Sequence, residues 1–176
     1  MYKKMNNNYK KVLEIFFDNP TGRFHIREIA RLTKLNPNTI INIVKKLEKE
    51  DLVRVEKKTY LVEISAHFEN KKFKEKKRIS NILKLYESGL IDFLVKEYSP
   101  KAVSVIGSYS LGEDIEESDI DIVIITNKEE EIDIKKFEEK IGRKIHLLPV
   151  SYNKISDEFY TNLINGVVLY GYIRKK

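Results

Sequence analysis

An α+β chain of two modules is predicted, and three observations predict it. The first half carries three segments of helical apolar spacing followed by two short alternating ones. The second half interleaves short apolar runs with helical stretches, the pattern of a small mixed sheet with helices on one side. Charge is also divided unevenly. Residues 1–80 carry 20 Lys+Arg against 10 Asp+Glu, and residues 81–176 carry 13 against 17. A basic half beside an acidic half argues for modules with different partners. The 176 residues allow two small domains, and an apolar share of 41% supports packed cores. Cysteine is absent, which excludes a disulfide framework and thiolate chemistry. No apolar run approaches membrane-spanning length and the N-terminus lacks an apolar signal core, so a soluble cytoplasmic protein without a membrane partner is expected.

Three domains of organisation follow: residues 1–66, a connector at 67–99, and residues 100–176. In the first, Tyr9–Asp18 is a helix with Val12, Leu13, Ile15, Phe16 and Phe17 as its apolar positions, stopped by Asn19-Pro20-Thr21-Gly22. Arg23–His25 is a short extended piece. Ile26–Lys34 places Ile26, Ile29 and Ala30 on one helical face. Leu35-Asn36 is a turn, with Asn36 as cap and Pro37 at the first position of a third helix whose buried side is Ile40, Ile41, Ile43, Val44 and Leu47. Leu52–Val55 and Tyr60–Ile64 are strands joined by Glu56-Lys57-Lys58-Thr59, a hairpin with a basic tip.

Three helices followed by a hairpin resemble the winged helix-turn-helix family over residues 9–66. The resemblance implies a third helix in the major groove of double-stranded DNA, with Asn36, Asn38, Thr39 and Asn42 near base edges and Lys45 and Lys46 near phosphates. Lys57 and Lys58 at the wing tip reach a neighbouring groove or the backbone. A module for protein contacts, with its lysines merely solvated, is the alternative. Dimeric winged-helix proteins read two half-sites, so a homodimer is expected. The connector begins with Lys71, Lys72, Lys74, Lys76, Lys77 and Arg78 and then turns amphipathic through Ile79, Ile82, Leu83, Tyr86, Leu90, Ile91, Leu94 and Tyr98, as a bridging helix does.

The third domain opens with a strand at Ala102–Ile106 and a short helix beginning at Ser108–Gly112. Further strands are expected at Ile120–Thr126 and Lys144–Val150. Helices are expected from about Asp133 to Ile141, ending at Gly142, and over Tyr152–Asn165; a last apolar segment spans Val167–Ile173. Gly107-Ser108 closes the first strand where backbone N–H groups become free to hold phosphate. Asp119 and Asp121 lie two apart at the start of the next strand, so their carboxylates share a face, which suits a hard divalent cation.

Gly107-Ser108, Tyr109, Gly112 and Ser118-Asp119-Ile120-Asp121 leading into Val123-Ile124-Ile125 resemble the nucleotidyltransferase superfamily named for DNA polymerase beta, over about residues 80–171. The resemblance implies phosphate binding by Gly107 and Ser108, metal binding by Asp119 and Asp121, and Mg²⁺ as cofactor with Mn²⁺ as a second choice. It implies transfer of a nucleoside monophosphate from a nucleoside triphosphate to an acceptor, a protein among the candidates. Ser118 is expected to fix the loop and Tyr109 to pack. The family's third carboxylate is expected on the strand Lys144–Val150, which has no acid; by alternation His146 occupies its slot, either as a base or as an ordinary strand-end residue. Asp157 and Glu158 lie on a helix with no evident reason to face the site. The alternative is a non-catalytic transcriptional regulator whose transferase-like domain senses nucleotide or mediates assembly.

Overall fold

The structure, a computed structural model, describes residues 7–58, 61–128 and 130–174. Thr59 and Tyr60, assigned from the sequence to the hairpin tip and the following strand, lie outside the described residues. So do positions 1–6 of the N-terminal domain, Glu129 of the charged segment and the last two residues of the C-terminal domain. The chain divides into two compact units, Met1–Lys77 and Arg78–Lys176.

In the first unit, α1 (Asn7–Asp18) is followed by β1 (Arg23–Phe24), α2 (Ile26–Thr33), α3 (Pro37–Lys49), β2 (Val53–Lys57) and β3 (Val62–Ala66). Asn36 caps α3, its Oδ1 accepting the Asn38 N–H at 2.9 Å, and Pro37 stands where its missing N–H costs nothing. The strands form an antiparallel sheet of order β1-β3-β2. Both hairpin strands lie about two residues later than the apolar alternation placed them. Val53 pairs with Ala66 and Lys57 with Val62, so Glu56 and Lys57 belong to β2, and the tip begins at Lys58. Charged residues continue the strand there because β2 is an edge, and its outward positions meet water. Phe16, Ile29, Ile40, Leu47, Leu52 and Ile64 meet in one core, with Phe16 edge-on to Phe24 at 5.6 Å.

A fourth helix, α4 (Lys71–Ser88), holds the division between the units, after Lys77. The stretch assigned to one bridging helix is two. Gly89, at φ +84°, takes a left-handed conformation that ends α4, and α5 (Leu90–Tyr98) starts anew. Lys77 is buried in the first unit, and its ammonium donates to the Phe17 carbonyl at 2.5 Å, in the last turn of α1. A cation there meets the negative end of the helix and one of its open carbonyls. Lys77→Met, which keeps most of the volume but not the donor, is expected to destabilise this unit by about 2 kcal/mol, read from urea unfolding. An unchanged midpoint would mean that the burial of the stem alone matters.

The second unit continues with β4 (Ala102–Ile106), α6 (Gly107–Leu111), β5 (Ile120–Ile125), α7 (Lys135–Ile141), β6 (Ile145–Val150), a 3-10 turn at Tyr152–Lys154, α8 (Asp157–Asn165) and β7 (Val167–Gly171). The sheet order is β6-β5-β4-β7, with β5 and β6 parallel and the other pairs antiparallel. Helices cover both of its faces rather than one. Val103, Val105, Ile122 and Ile124 pack with Leu85, Leu90, Leu94 and Phe137, whereas Ala102, Val123 and Ile125 pack with Ile155 and Leu163. Ala102–Val105 and Ile122–Ile125 are buried at every position, as central strands are when both faces are covered. The expected closing helix over Tyr152–Asn165 is split. Ser156 accepts the Phe159 N–H at 3.2 Å and caps α8, so the helix starts only at Asp157. Among the described residues no helix is long and apolar enough to cross a membrane.

Candidate functional site

Gly107 takes φ +69° directly after β4, a backbone state that L side chains rarely adopt. A Cβ there would stand 3.2 Å from Asp121 Oδ2. The turn is fixed from behind: Ser110 Oγ donates to the Gly107 carbonyl at 2.7 Å, and the Glu113 N–H donates to the Ser108 carbonyl at 2.9 Å. Ser108 is half-buried, while Tyr109 is buried in the core, in keeping with a packing role.

Register brings the carboxylate to the glycine. Ile106 pairs with Asp121 across β4 and β5, and on the other side Asp121 pairs with His146 across β5 and β6. Paired residues on neighbouring strands point to the same face. His146 Nδ1 therefore lies 3.3 Å from Asp121 Oδ1, with the two side chains 64% and 40% exposed. Asp119 is exposed immediately before β5. Among the described residues no group of three or more His, Cys, Asp or Glu is gathered as a metal cage. Mg²⁺ does not require one: it keeps several waters and commonly takes one or two protein carboxylates together with substrate phosphates. Asp119 and Asp121 suit that requirement in kind and number, and the missing Cβ at Gly107 leaves the approach beside Asp121 open. Asp157 and Glu158 start α8, whereas its other end, at Gly166, lies against Val105 and Ile106.

The loop between α6 and β5 hangs on groups that the sequence reading did not single out. Asp114 is buried; its Oδ1 accepts from Asn81 Nδ2 at 2.7 Å, and its Oδ2 lies 3.7 Å from the Arg143 guanidinium. Asn81 also donates to the Tyr109 carbonyl at 3.0 Å, and Arg143 donates to the Ile115 carbonyl. Ser118 Oγ accepts the Ile115 N–H at 3.0 Å, so its hydroxyl does close the loop. An asparagine among apolar helix positions was the one available signal for Asn81.

Residues 87–170 match the family model described as Nucleotidyltransferase domain. A nucleotidyltransferase domain is present there. Such domains typically use divalent metal ions. The matched stretch of the nucleotidyltransferase domain runs from the end of α4 into β7 and takes in Gly107, Ser108, Asp119, Asp121 and His146. No curated protein matches the chain.

In the first unit, α3 turns Ile40, Val44 and Leu47 inward and leaves Asn38, Asn42 and Lys45 exposed, at spacings of four and three that share a face. Thr39 is half-buried, and the Asn36 carboxamide oxygen is occupied by its capping bond. Lys46 lies 4.6 Å over the Tyr9 ring and 4.0 Å from Glu50. Lys57 is exposed on β2. Lys58 is 2.5 Å from Glu63, and its hydrogen bond holds that carboxyl below the usual range. The eight residues therefore divide into an open face and groups that already have intramolecular partners.

Proposed function

We propose that the second unit binds a nucleoside triphosphate with Mg²⁺, or Mn²⁺, and transfers its nucleoside monophosphate to an acceptor hydroxyl. The first unit, in this reading, is a winged helix-turn-helix on double-stranded DNA, and the protein works as a homodimer. One observation carries the enzymatic part: a side-chain-free left-handed turn stands beside the Asp121 carboxylate, with His146 on the other flank. The Gly107–Ser108 turn receives the phosphates, and Asp119 and Asp121 hold the metal. When bound, Mg²⁺ supplies charge neutralisation across the phosphate oxygens. The acceptor oxygen forms a bond to the α-phosphorus, the bond from that phosphorus to its bridging oxygen breaks, and pyrophosphate leaves. With Nδ1 turned to Asp121, His146 has Nε2 free to take the hydroxyl proton. The test is incubation of the full chain with each α-labelled nucleoside triphosphate, Mg²⁺ or Mn²⁺, and cell extract. Label on an extract component, or on the chain itself, supports transfer.

A second reading is a regulator that binds nucleotide without turnover, and it is favoured by the absence of any acid on β6. Nucleotide binding with no label transferred under any condition selects it.

For the DNA-binding part, support comes from the open face Asn38–Asn42–Lys45 on α3. Lys45→Ala is expected to weaken duplex binding several-fold and to lower the slope of log K against log salt by about one. Lys46→Ala is expected to do less, because Lys46 is drawn to Tyr9 and Glu50. Equal effects of the two would count against the α3 face as the DNA reader.

A further inference from the structure

The sheet has a second open end. Ile106 pairs with Asp121 at one end of β4 and β5, and Ala102 pairs with Ile125 at the other. Four residue steps of strand separate the two, about 13 Å. At the far end lies a cavity of 470 Å³ lined by Lys101, Ile125, Tyr152, Tyr172, Ile173 and Arg174. A neighbouring cavity of 300 Å³ shares Lys101, Ile125 and Tyr152 and adds the polar groups of Asn127, Lys128 and Ser151.

The wall is built by specific bonds. At Gly171, φ +70°, a Cβ would fall 2.0 Å from the Lys101 carbonyl, so only glycine lets the end of β7 pass this close to Lys101. The chain beyond it is then tied down: Tyr160 Oη donates to the Arg174 carbonyl at 2.9 Å, and Tyr152 Oη donates to the same oxygen. The Arg174 guanidinium donates to Tyr172 Oη at 2.9 Å and lies 5.4 Å over that ring. The mutually bonded Arg174 and Tyr172 thus line the cavity together with Lys101, while Ile125 forms an apolar floor. Residues 81–176 carry 13 Lys+Arg against 17 Asp+Glu, yet among the described residues neither cavity is lined by an Asp or Glu. Cations without acids, in a stretch where acids outnumber them, select an anion.

We propose that this cavity binds a nucleoside monophosphate unit, its phosphate against Lys101 and Arg174 and its base against the tyrosine rings. Base stacking on aromatic side chains beside cations is tolerant of base identity, and the volume falls within the range of small-ligand sites. The site is separate from Gly107 and Asp121 and does not depend on transfer occurring there. The unit comes either as a free nucleotide or as a residue of a single strand.

Calorimetric titration of the full chain, without divalent metal, decides this. The probes are AMP, a five-nucleotide oligoadenylate and inorganic phosphate. Binding of AMP or of the oligoadenylate is expected to weaken at least about tenfold in Lys101→Ala and in Tyr172→Leu, both at exposed positions where folding is not at stake. The same binding is expected to stay within about twofold in Asp119→Asn/Asp121→Asn, which spares this end of the sheet. Tighter AMP identifies a free nucleotide as the source, and tighter oligoadenylate identifies a strand. Phosphate binding as tightly as AMP, indifference to both Lys101→Ala and Tyr172→Leu, or no saturable heat with either nucleotide probe overturns the proposal.

Discussion

Asp119→Asn combined with Asp121→Asn is expected to lower nucleotide transfer by about 10³-fold or more while leaving the fold intact. The size follows from what the carboxylates contribute. Metal stabilisation of transferring phosphoryl oxygens amounts to several kcal/mol of barrier, and each 1.4 kcal/mol is about tenfold in rate. The amide is isosteric but neutral, so it keeps shape and hydrogen bonding and loses affinity for a hard cation. Asp121 is 40% exposed on its side chain and Asp119 is exposed, so no buried charge is uncovered by the change. The stability shift is expected within about 0.5 kcal/mol, as for surface positions. Transfer is measured by label incorporation and stability by urea unfolding on the same preparations. Transfer that survives the double substitution within tenfold would remove these two residues from the reaction. His146→Ala is the companion measurement: a general base costs about 10²-fold or more in turnover with little change in nucleotide affinity, whereas a merely neighbouring histidine changes neither.

The parts of this molecule that follow from local chemistry were readable in the sequence, and those that depend on distant segments meeting were not. Asn36 and Pro37 start α3 by capping and by a fixed φ, both properties of adjacent residues. Gly142 ends α7 in the same local way. The nearness of Asp121 and His146 was legible because alternation fixes which strand residues share a face once two strands lie side by side. Coverage of the sheet on both faces was missed, although the unbroken apolar run Ile122–Ile125 and Ala102–Val105, interrupted only by Ser104, are its signature. The helix break at Gly89 was overlooked because apolar spacing continues through it from Leu85 to Leu94. Lys46 and Lys58 show a further limit. Side chains assigned to DNA phosphates lie against Tyr9, Glu50 and Glu63, partners that no periodicity points to.

Asp114→Ala is expected to cost the second unit about 3–5 kcal/mol, the range for removing one partner of a buried ion pair. Asp114 is 1% exposed and faces both the Asn81 amide and the Arg143 guanidinium, groups that α4 and the turn between α7 and β6 bring to it. Alanine removes the acceptor of one Asn81 N–H and the charge facing Arg143, although Asn81 keeps the Tyr109 carbonyl and Arg143 the Ile115 carbonyl, which is why the loss exceeds that of a single hydrogen bond. The readout is hydrogen exchange at β4 and β5 amides under native conditions, where protection falls by the same free energy if these strands exchange through unfolding of the unit. Asp114→Asn separates the two donors. An asparagine oxygen still accepts from Asn81 but no longer carries the charge that faces Arg143, so about half of the loss should return. If Asn and Ala cost the same, the charge facing Arg143 dominates; if Asn costs nothing, the hydrogen bond from Asn81 is the whole effect. A loss below about 1 kcal/mol for alanine would mean that water replaces the carboxylate, and the loop leading to Asp119 would then be held by Ser118 and Arg143 through Ile115 instead. Because Asp114 sits between the Gly107–Ser108 turn and Asp119, the same substitution should also weaken nucleotide binding. Asp119→Asn/Asp121→Asn should leave protection at β4 and β5 unchanged, which separates the group that holds the loop from the two carboxylates proposed to hold the metal.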